Sequence, residues 1–422
     1  MPSAHIDFDF TSDKVAQRVL KMRSSAVRDL FSAATREDII SLSGGMPDVS
    51  LLPQTSIRKA VKAAADDKRA LALQYTATDG LLGTKQVVCD LVRDVGIRCK
   101  PADVLLTTGA QEALDLVAKA FIDPGDLILA EGPTYLGALQ AFSAYEPEIR
   151  CIPLDNKGLR TDLLEEELAH IGKGKVKFFY TIPNFQNPAG VTMAPERRKR
   201  LIELSEEYDF MIVEDDPYGR LRYEGGHALP LKALSDKVIY LGTVSKTFAP
   251  GLRTGWVIAP HCVLARINLV KQGTDLCGSA FTMVVVEHYF RDTPWQKTLQ
   301  TFIETYRERR DAMLAALEEF FPPEATWTHP EGGFFVWVTL PPYVDTGSML
   351  TTALEKGVTY TPGDSFYPKA SAGRNCMRIA FCFESPENLR EAIRRLALVI
   401  NDRLELYRAF LDAGAIKGTG TG

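Results

Sequence analysis

Cysteine is scarce in this chain. Seven are scattered through 422 residues, at Cys89, Cys99, Cys151, Cys262, Cys277, Cys376 and Cys382, with no CxxC pair. An odd number at irregular spacing argues against a disulfide framework and makes a reducing compartment, the cytoplasm, the default. No apolar run reaches the roughly 18 residues that suggest a membrane span, and the opening MPSAHIDFDFTSDK is too polar and acidic for a signal peptide. The six histidines fall into no HExxH or other zinc spacing, so no metal is expected. Positive charge is not in excess: 49 Lys and Arg stand against 54 Asp and Glu, a net charge of −5. Neither nucleic acid nor an anionic membrane is therefore an expected partner. GxxxxGK[ST] is absent, which leaves a nucleotide-binding reading without its phosphate loop.

What is present is an ordinary globular composition, 45% hydrophobic and 24% charged, at a length that predicts two or three domains. Residues 14–36 read as a helix, followed by a short strand and a glycine turn in IISLSGGMPDVSLLP. From about 71 to 315, seven buried-strand runs alternate with helical patterns: VLLTT (104–108), LILAEG (127–132), IRCIPL (149–154), KFFYTIP (177–183), FMIVEDD (210–216), VIYLGTV (238–244) and GWVIAP (255–260). Several are continuously apolar, as strands covered on both faces are. That alternation predicts an α/β architecture with a mainly parallel sheet. A long helix is expected from Asp292 to about Phe321. GGFFVWVTLP, VTYTPGDSFYP and CMRIAFCF then read as strands of a smaller α+β sheet, and a last amphipathic helix spans about 385–412. The expected division is 1–70 as an N-terminal segment joined to the small lobe, 71–315 as the large domain and 316–422 as the small one. The basic run Arg197–Arg200 reads as the solvated side of a helix.

Chemistry concentrates in GTVSKTFAPGLRTGW, residues 242–256. Lys246 follows a buried strand, and desolvation there favours the neutral amine, the nucleophile that forms a Schiff base with an aldehyde. Arg253 adds paired donors and a fixed charge suited to a phosphate. An aldehyde and a phosphate on one ligand describe pyridoxal 5′-phosphate, PLP. TTGAQEALDL (107–116) supplies a strand end, a glycine turn and a helix start, which taken alone reads as a plain strand-to-helix turn, although such a helix N-terminus can also seat a phosphate. Tyr135 in AEGPTYLGAL lies just past a strand, where its ring can equally pack in the core or stack on a pyridine face. Arg378, inside the apolar strand CMRIAFCF, needs an anionic partner, and a substrate carboxylate is a natural one.

SKxxxPGxRxGW, with IPNFQNPAG and EDDPYG in the same order, resembles the fold-type-I PLP-dependent class I/II aminotransferases. SSAVRDLF, ISLSGGMPDVSLLP and LQYTATDGL are similar to the 2-aminoadipate and kynurenine aminotransferase subgroup. MocR-type transcription regulators share this domain behind a winged helix, for which the roughly forty residues before SLSGG leave no room. The resemblance implies a seven-stranded, mainly parallel sheet in a large domain and a homodimer. It implies an amino group moved from an L-amino acid (2-aminoadipate, aromatic or branched-chain type) to a 2-oxo acid, such as 2-oxoglutarate, by a ping-pong cycle. β-Elimination, racemisation and decarboxylation use the same scaffold and stay open.

Residue by residue, the resemblance puts the cofactor phosphate on Gly109, Ala110, Gln111, Thr243 or Ser245, and Arg253, with Tyr75 reaching the neighbouring subunit's phosphate. Many relatives have a hydroxyl residue where this chain has Ala110. Asn187 and Tyr218 would face the phenolic oxygen. Asp215 would pair with the ring nitrogen, chosen over Asp216 by the Asp-x-x-Tyr spacing to Tyr218. Substrate would meet Arg378, Asn187, Gly45 and Arg28.

Overall fold

The computed structural model describes residues 14–20, 22, 38–66, 70–369 and 372–412. Arg28 and most of the helix expected over 14–36 lie outside the described residues; Gln17–Leu20 is a helical turn.

Strand β1 (Ile40–Ser41) is followed by the strands of one large sheet: β2 (Val104–Thr107), β3 (Leu127–Gly132), β4 (Glu148–Asp155), β5 (Gly158–Leu159), β6 (Val176–Thr181), β7 (Met211–Asp215), β8 (Ile239–Thr243) and β9 (Gly255–Ile258). Their order is β2-β9-β8-β7-β6-β3-β4-β5. The seven strands expected from apolar runs all form. The eighth, β5, is a two-residue strand that folds back antiparallel on β4. β4, β3, β6, β7 and β8 pair in parallel. β9 runs antiparallel to both β8 and β2, so β2 points the same way as the parallel set.

The continuous apolar runs have a direct cause. In β6, Phe178 and Tyr180 enter one buried cluster with Leu114, Val117 and Phe142 from covering helices. Phe179 between them enters another with Leu164, Leu168, Leu201 and Leu204. Each strand residue is thus covered on its own side, and no alternation with polar residues survives.

The expected long helix is Trp295–Phe320, and the last helix is Pro386–Asp412. The two pack against each other. Beside them a four-stranded antiparallel sheet takes the order β10-β11-β14-β13, with β10 (Thr326–Trp327), β11 (Phe335–Thr339), β13 (Thr361–Pro362) and β14 (Cys376–Ala380). VTYTPGDSFYP does not form one strand. It divides into β12 (Val358–Thr359), β13 and a 3-10 turn at Gly363–Phe366. β12 pairs in parallel with β1, and Ala380 N donates to Leu42 O at 2.8 Å, so the N-terminal segment is stitched onto the C-terminal sheet.

The basic run 197–200 corrects an expectation. Arg198 is 1% exposed. Its guanidinium donates to Met193 O, Pro183 O, Leu229 O and Asn184 Oδ1 at 2.8–3.1 Å. It clamps the chain between β6 and the helix Pro195–Tyr208 rather than facing solvent.

Candidate active site

Ligand sites in open α/β sheets lie beyond the carboxyl ends of the parallel strands, and here these ends collect the expected residues. Gly109 follows β2, Tyr135 follows β3, Asn187 follows β6, Asp215 ends β7, and Ser245-Lys246 follow β8. All of these but Gly109 line one cavity of about 430 Å³, within the usual range for small-ligand sites. Gly45, Ala110, Gln111, Tyr218, Thr243, Arg253 and Arg378 line it too.

Lys246 Nζ donates to Gly45 O at 2.9 Å. Burial pushes its pKa down to about 8, with Arg378 and Arg253 acting in the same direction. Near neutrality a sizeable fraction of this amine is therefore neutral, as a nucleophile requires.

The triplet at the end of β7 is divided by role. Glu214 accepts Leu231 N and Lys232 N, both at 2.8 Å, and so fixes the start of a short helix. Asp216 accepts Asn184 Nδ2 at 2.9 Å, Gly219 N at 3.0 Å and Tyr240 Oη at 3.1 Å. Asp215 is different. Its Oδ2 accepts Tyr180 Oη at 2.9 Å, while its buried Oδ1 has no partner. Burial raises its pKa to about 7, partly offset by the Tyr180 hydrogen bond. A cationic N–H facing Oδ1 would supply the missing partner.

Arg378 lies opposite Trp337 in the β11–β14 register and 4.1 Å from the Phe335 ring centroid. It donates to Asn187 Oδ1 at 2.9 Å and to Ser43 O at 2.6 Å. Among the described residues no carboxylate comes within ion-pair distance, and its Nε is buried without a partner. Burial lowers its pKa to about 10, still charged at neutral pH. The bond from Arg378 also fixes the Asn187 amide: the oxygen faces the guanidinium, so Nδ2 remains as a donor.

At the other end of the cavity, Gly109 (φ +81°) caps the helix Ala110–Phe121. A Cβ there would lie 2.4 Å from Arg253 Nη2, so only glycine lets the guanidinium come this close to the helix N-terminus. Gln111 Nε2 donates to Gly137 O at 2.7 Å, and its Oε1 lies 3.4 Å from Tyr135 Oη. Thr243 Oγ1 donates to Thr254 O at 2.8 Å and lies 2.8 Å from Ser245 Oγ, so the Thr243 proton is already committed. Tyr218 packs edge-on against Phe334 and Phe335, with burial raising its pKa. Tyr75 is not in this cavity. It stands 79% exposed.

Several contributors had no mark in the sequence. Tyr180 reads as one more apolar strand residue, yet it orients Asp215. Glu131, buried at the end of β3, accepts Thr181 Oγ1 at 2.6 Å and Ile182 N and Gln186 Nε2, both at 3.1 Å. Gln186 also accepts Ala189 N at 2.8 Å, so this carboxylate braces the turn that presents Asn187.

The residues present fit PLP. Asp215 Oδ1 lacks a donor, the Gly109 cradle would be filled by a Cβ, and the phosphate end pairs a helix N-terminus with Arg253. The family model for aminotransferase class I and II matches residues 37–396. The aromatic-amino-acid aminotransferase 1 of Thermococcus litoralis is 45% identical over 92% of this chain and 94% of its own. The crystal structure of a Pyrococcus horikoshii kynurenine aminotransferase superposes with a TM-score of 0.89 at 44% identity, covering 93% of this chain and 98% of that one. That of an alpha-aminoadipate aminotransferase from Thermus thermophilus, bound to N-(5′-phosphopyridoxyl)-L-leucine, gives 0.85 at 33%, covering 94% and 99%. The chain belongs to the class I and II aminotransferases, fold-type-I enzymes that use pyridoxal phosphate to transfer amino groups between amino acids and 2-oxo acids.

Proposed function

We propose that this aminotransferase takes its amino group from an aromatic or 2-aminoadipate-type L-amino acid and passes it to 2-oxoglutarate, with Lys246 as the catalytic base. One observation carries the assignment of the site. The cavity is lined by three cations, Lys246, Arg253 and Arg378, and by one carboxylate, Asp215. Such a cavity calls for a guest with a phosphate at one end and a carboxylate at the other. When bound, PLP supplies an electron sink for the carbanion left by proton removal.

The chain's own residues divide the remaining work. Arg253, Ser245 and the helix N-terminus at Gly109, Ala110 and Gln111 would hold the phosphate, and Tyr135 would cover the ring. Thr243 supports Ser245. Asp215, aimed by Tyr180, would pair with the protonated ring nitrogen. Asn187 Nδ2 and Tyr218 donate to the phenolic oxygen. Arg378 fixes the α-carboxylate, and Phe335 stacks beneath it. Lys246 Nζ would take the proton from the substrate Cα and hold it for return as the general base. Gly45, from the N-terminal segment, gives that nitrogen an acceptor at rest. The relatives named for aromatic, kynurenine and aminoadipate activity support the donor class.

Arg378→Ala should reduce kcat/KM by roughly tenfold to a hundredfold for every amino donor, the value of a charge-assisted hydrogen bond. Steady-state kinetics with several donors checks this; selectivity among donors would contradict an α-carboxylate role. Arg28 is proposed to read the distal carboxylate of acidic donors. Arg28→Ala should then lower kcat/KM roughly tenfold to a hundredfold for 2-aminoadipate and spare leucine. Equal loss for both would indicate a folding effect.

The pH dependence of cofactor capture follows from Lys246. With a pKa near 8, about a tenth of the amine is neutral at pH 7, far more than for an unperturbed lysine. PLP uptake by the apoprotein should accelerate as pH rises and level off above about 8. Stopped-flow absorbance over pH 6–10 checks the midpoint; a rise continuing to pH 10 would show an unperturbed lysine.

The working unit is proposed to be a cytoplasmic homodimer with composite sites, each subunit divided at 1–70, 71–315 and 316–422. Leu73, Tyr75 and Leu82 are 82%, 79% and 71% exposed, an apolar stretch that a second subunit would cover. Tyr75 then reaches the phosphate in the other subunit's cavity. Mixed dimers of Tyr75→Phe and Lys246→Ala subunits should have one site free of both substitutions and one carrying both. A fully active monomer in sedimentation would contradict this arrangement.

A further inference from the structure

Cys89 and Cys99 are ten positions apart, in no motif, and neither lines the active-site cavity. Cys89 lies on the buried face of the helix Leu82–Arg93, with its side chain almost wholly out of solvent. After that helix the chain turns at Gly96 (φ +98°) and comes back past its own end. The return is pinned by Ile97 N donating to Val92 O at 3.0 Å and by Lys100 N donating to Asp103 Oδ2 at 2.8 Å. Half-buried Cys99 is thereby brought onto Cys89, with the two sulfurs 3.4 Å apart. None of the other five cysteines has a sulfur partner; the nearest polar neighbours of Cys376 and Cys382 are oxygens at 3.7 Å.

We infer that Cys89 and Cys99 are a modification site: a reversible intramolecular disulfide that closes the segment 89–99 when the protein meets a peroxide. The approach required is small. A disulfide is about 2.05 Å long, so the sulfurs must close by about 1.4 Å from their 3.4 Å contact. Half-buried Cys99 stands in a connecting segment rather than in a helix or strand, which leaves that side free to move. The contact also prepares the chemistry. The Cys99 thiol donates to the Cys89 sulfur, which lowers the Cys89 pKa, and the proton it holds there raises its own. Thiolate character therefore falls on Cys89, and the thiolate is the reactive form.

The reaction balances with hydrogen peroxide as oxidant. The Cys89 thiolate attacks one peroxide oxygen and the O–O bond breaks. This gives Cys89 sulfenic acid and hydroxide, which takes a proton to become water. Cys99 sulfur then attacks Cys89 Sγ; the S–S bond forms, the S–O bond breaks, and a second hydroxide leaves with the Cys99 proton as water. Two thiols lose two electrons, and one peroxide becomes two waters. A dithiol reductant reverses the change. Closing this loop restricts the unfolded chain, so the oxidised protein should also melt a few degrees higher.

The test uses the full-length holoenzyme, exposed to a small excess of hydrogen peroxide. It is then denatured in the presence of an alkylating agent and digested with trypsin without reduction. The expected result is loss of two of the seven alkylatable thiols and one cross-linked species, the peptide Gln86–Arg93 joined to the peptide beginning at Cys99. Dithiothreitol should restore all seven thiols and lower the melting temperature to that of the untreated protein. Cys99→Ser, at the half-buried position, should keep its six thiols from forming any intramolecular cross-link; Cys89→Ser checks the same point from the other side. Seven intact thiols after treatment would overturn the inference. So would a cross-link through any other cysteine or between subunits, or Cys89 stopping at sulfenic or sulfinic acid.

Discussion

Replacing Lys246 with alanine is expected to abolish transamination, lowering kcat by about 10⁴-fold or more, because one side chain is proposed as both cofactor anchor and proton carrier. The variant should retain part of its PLP, since the proposed phosphate seat, Arg253 with the helix N-terminus at Gly109, does not depend on Lys246. Lys246→Arg separates charge from chemistry. It keeps a cation beside Gly45 O but offers no nucleophile at neutral pH, and it should be as inactive as the alanine variant. Borohydride reduction of the wild-type holoenzyme followed by peptide mapping should find the pyridoxyl group on Lys246. A label on any other lysine would end the assignment.

The second large effect separates two adjacent carboxylates. Asp215→Ala should lower turnover by orders of magnitude with little loss of stability. It removes the charge proposed to face the ring nitrogen and strands only the Tyr180 hydroxyl. Asp216→Ala should do the reverse. It strands two buried donors, on Asn184 and Tyr240, and the half-buried Gly219 N–H, and stranding a buried donor costs about 1–3 kcal/mol. Its melting temperature should drop while the surviving folded enzyme keeps most of its kcat. Paired measurements of Tm and kcat on both variants decide the matter, and the opposite ranking would show that Asp216 serves the cofactor.

Much of this was readable before any fold was known, for a physical reason. Strands covered on both faces leave continuous apolar runs, so β2, β3, β6, β7, β8 and β9 announce themselves, whereas β4 is largely exposed and shows only as the mixed run IRCIPL. β5 is two residues long and carries no such signal. Lys246, Arg253, Asn187 and Asp215 were legible because tight loops need glycine and proline at fixed offsets around them. Three residues were not. Tyr180 and Glu131 act through hydrogen bonds across strands, 35 and 50 positions away in sequence, and spacing cannot reveal those. Arg198 was misread from its basic neighbours although a signal existed. The buried face of its helix runs through Leu204 and Leu201, and one more step of three lands on Arg198. Charge pointed outward while periodicity pointed inward, and periodicity was right.

The most direct test of the account is a half-reaction. Holoenzyme at known concentration is mixed with L-phenylalanine or L-2-aminoadipate and no oxo acid, and cofactor and products are quantified after one turnover. Transamination predicts one equivalent of pyridoxamine phosphate and one of the matching 2-oxo acid per active site. Neither ammonia nor carbon dioxide should appear, and 2-oxoglutarate should restore the starting spectrum. Consumption of the amino acid with the cofactor unchanged, or with release of ammonia or carbon dioxide, would contradict it.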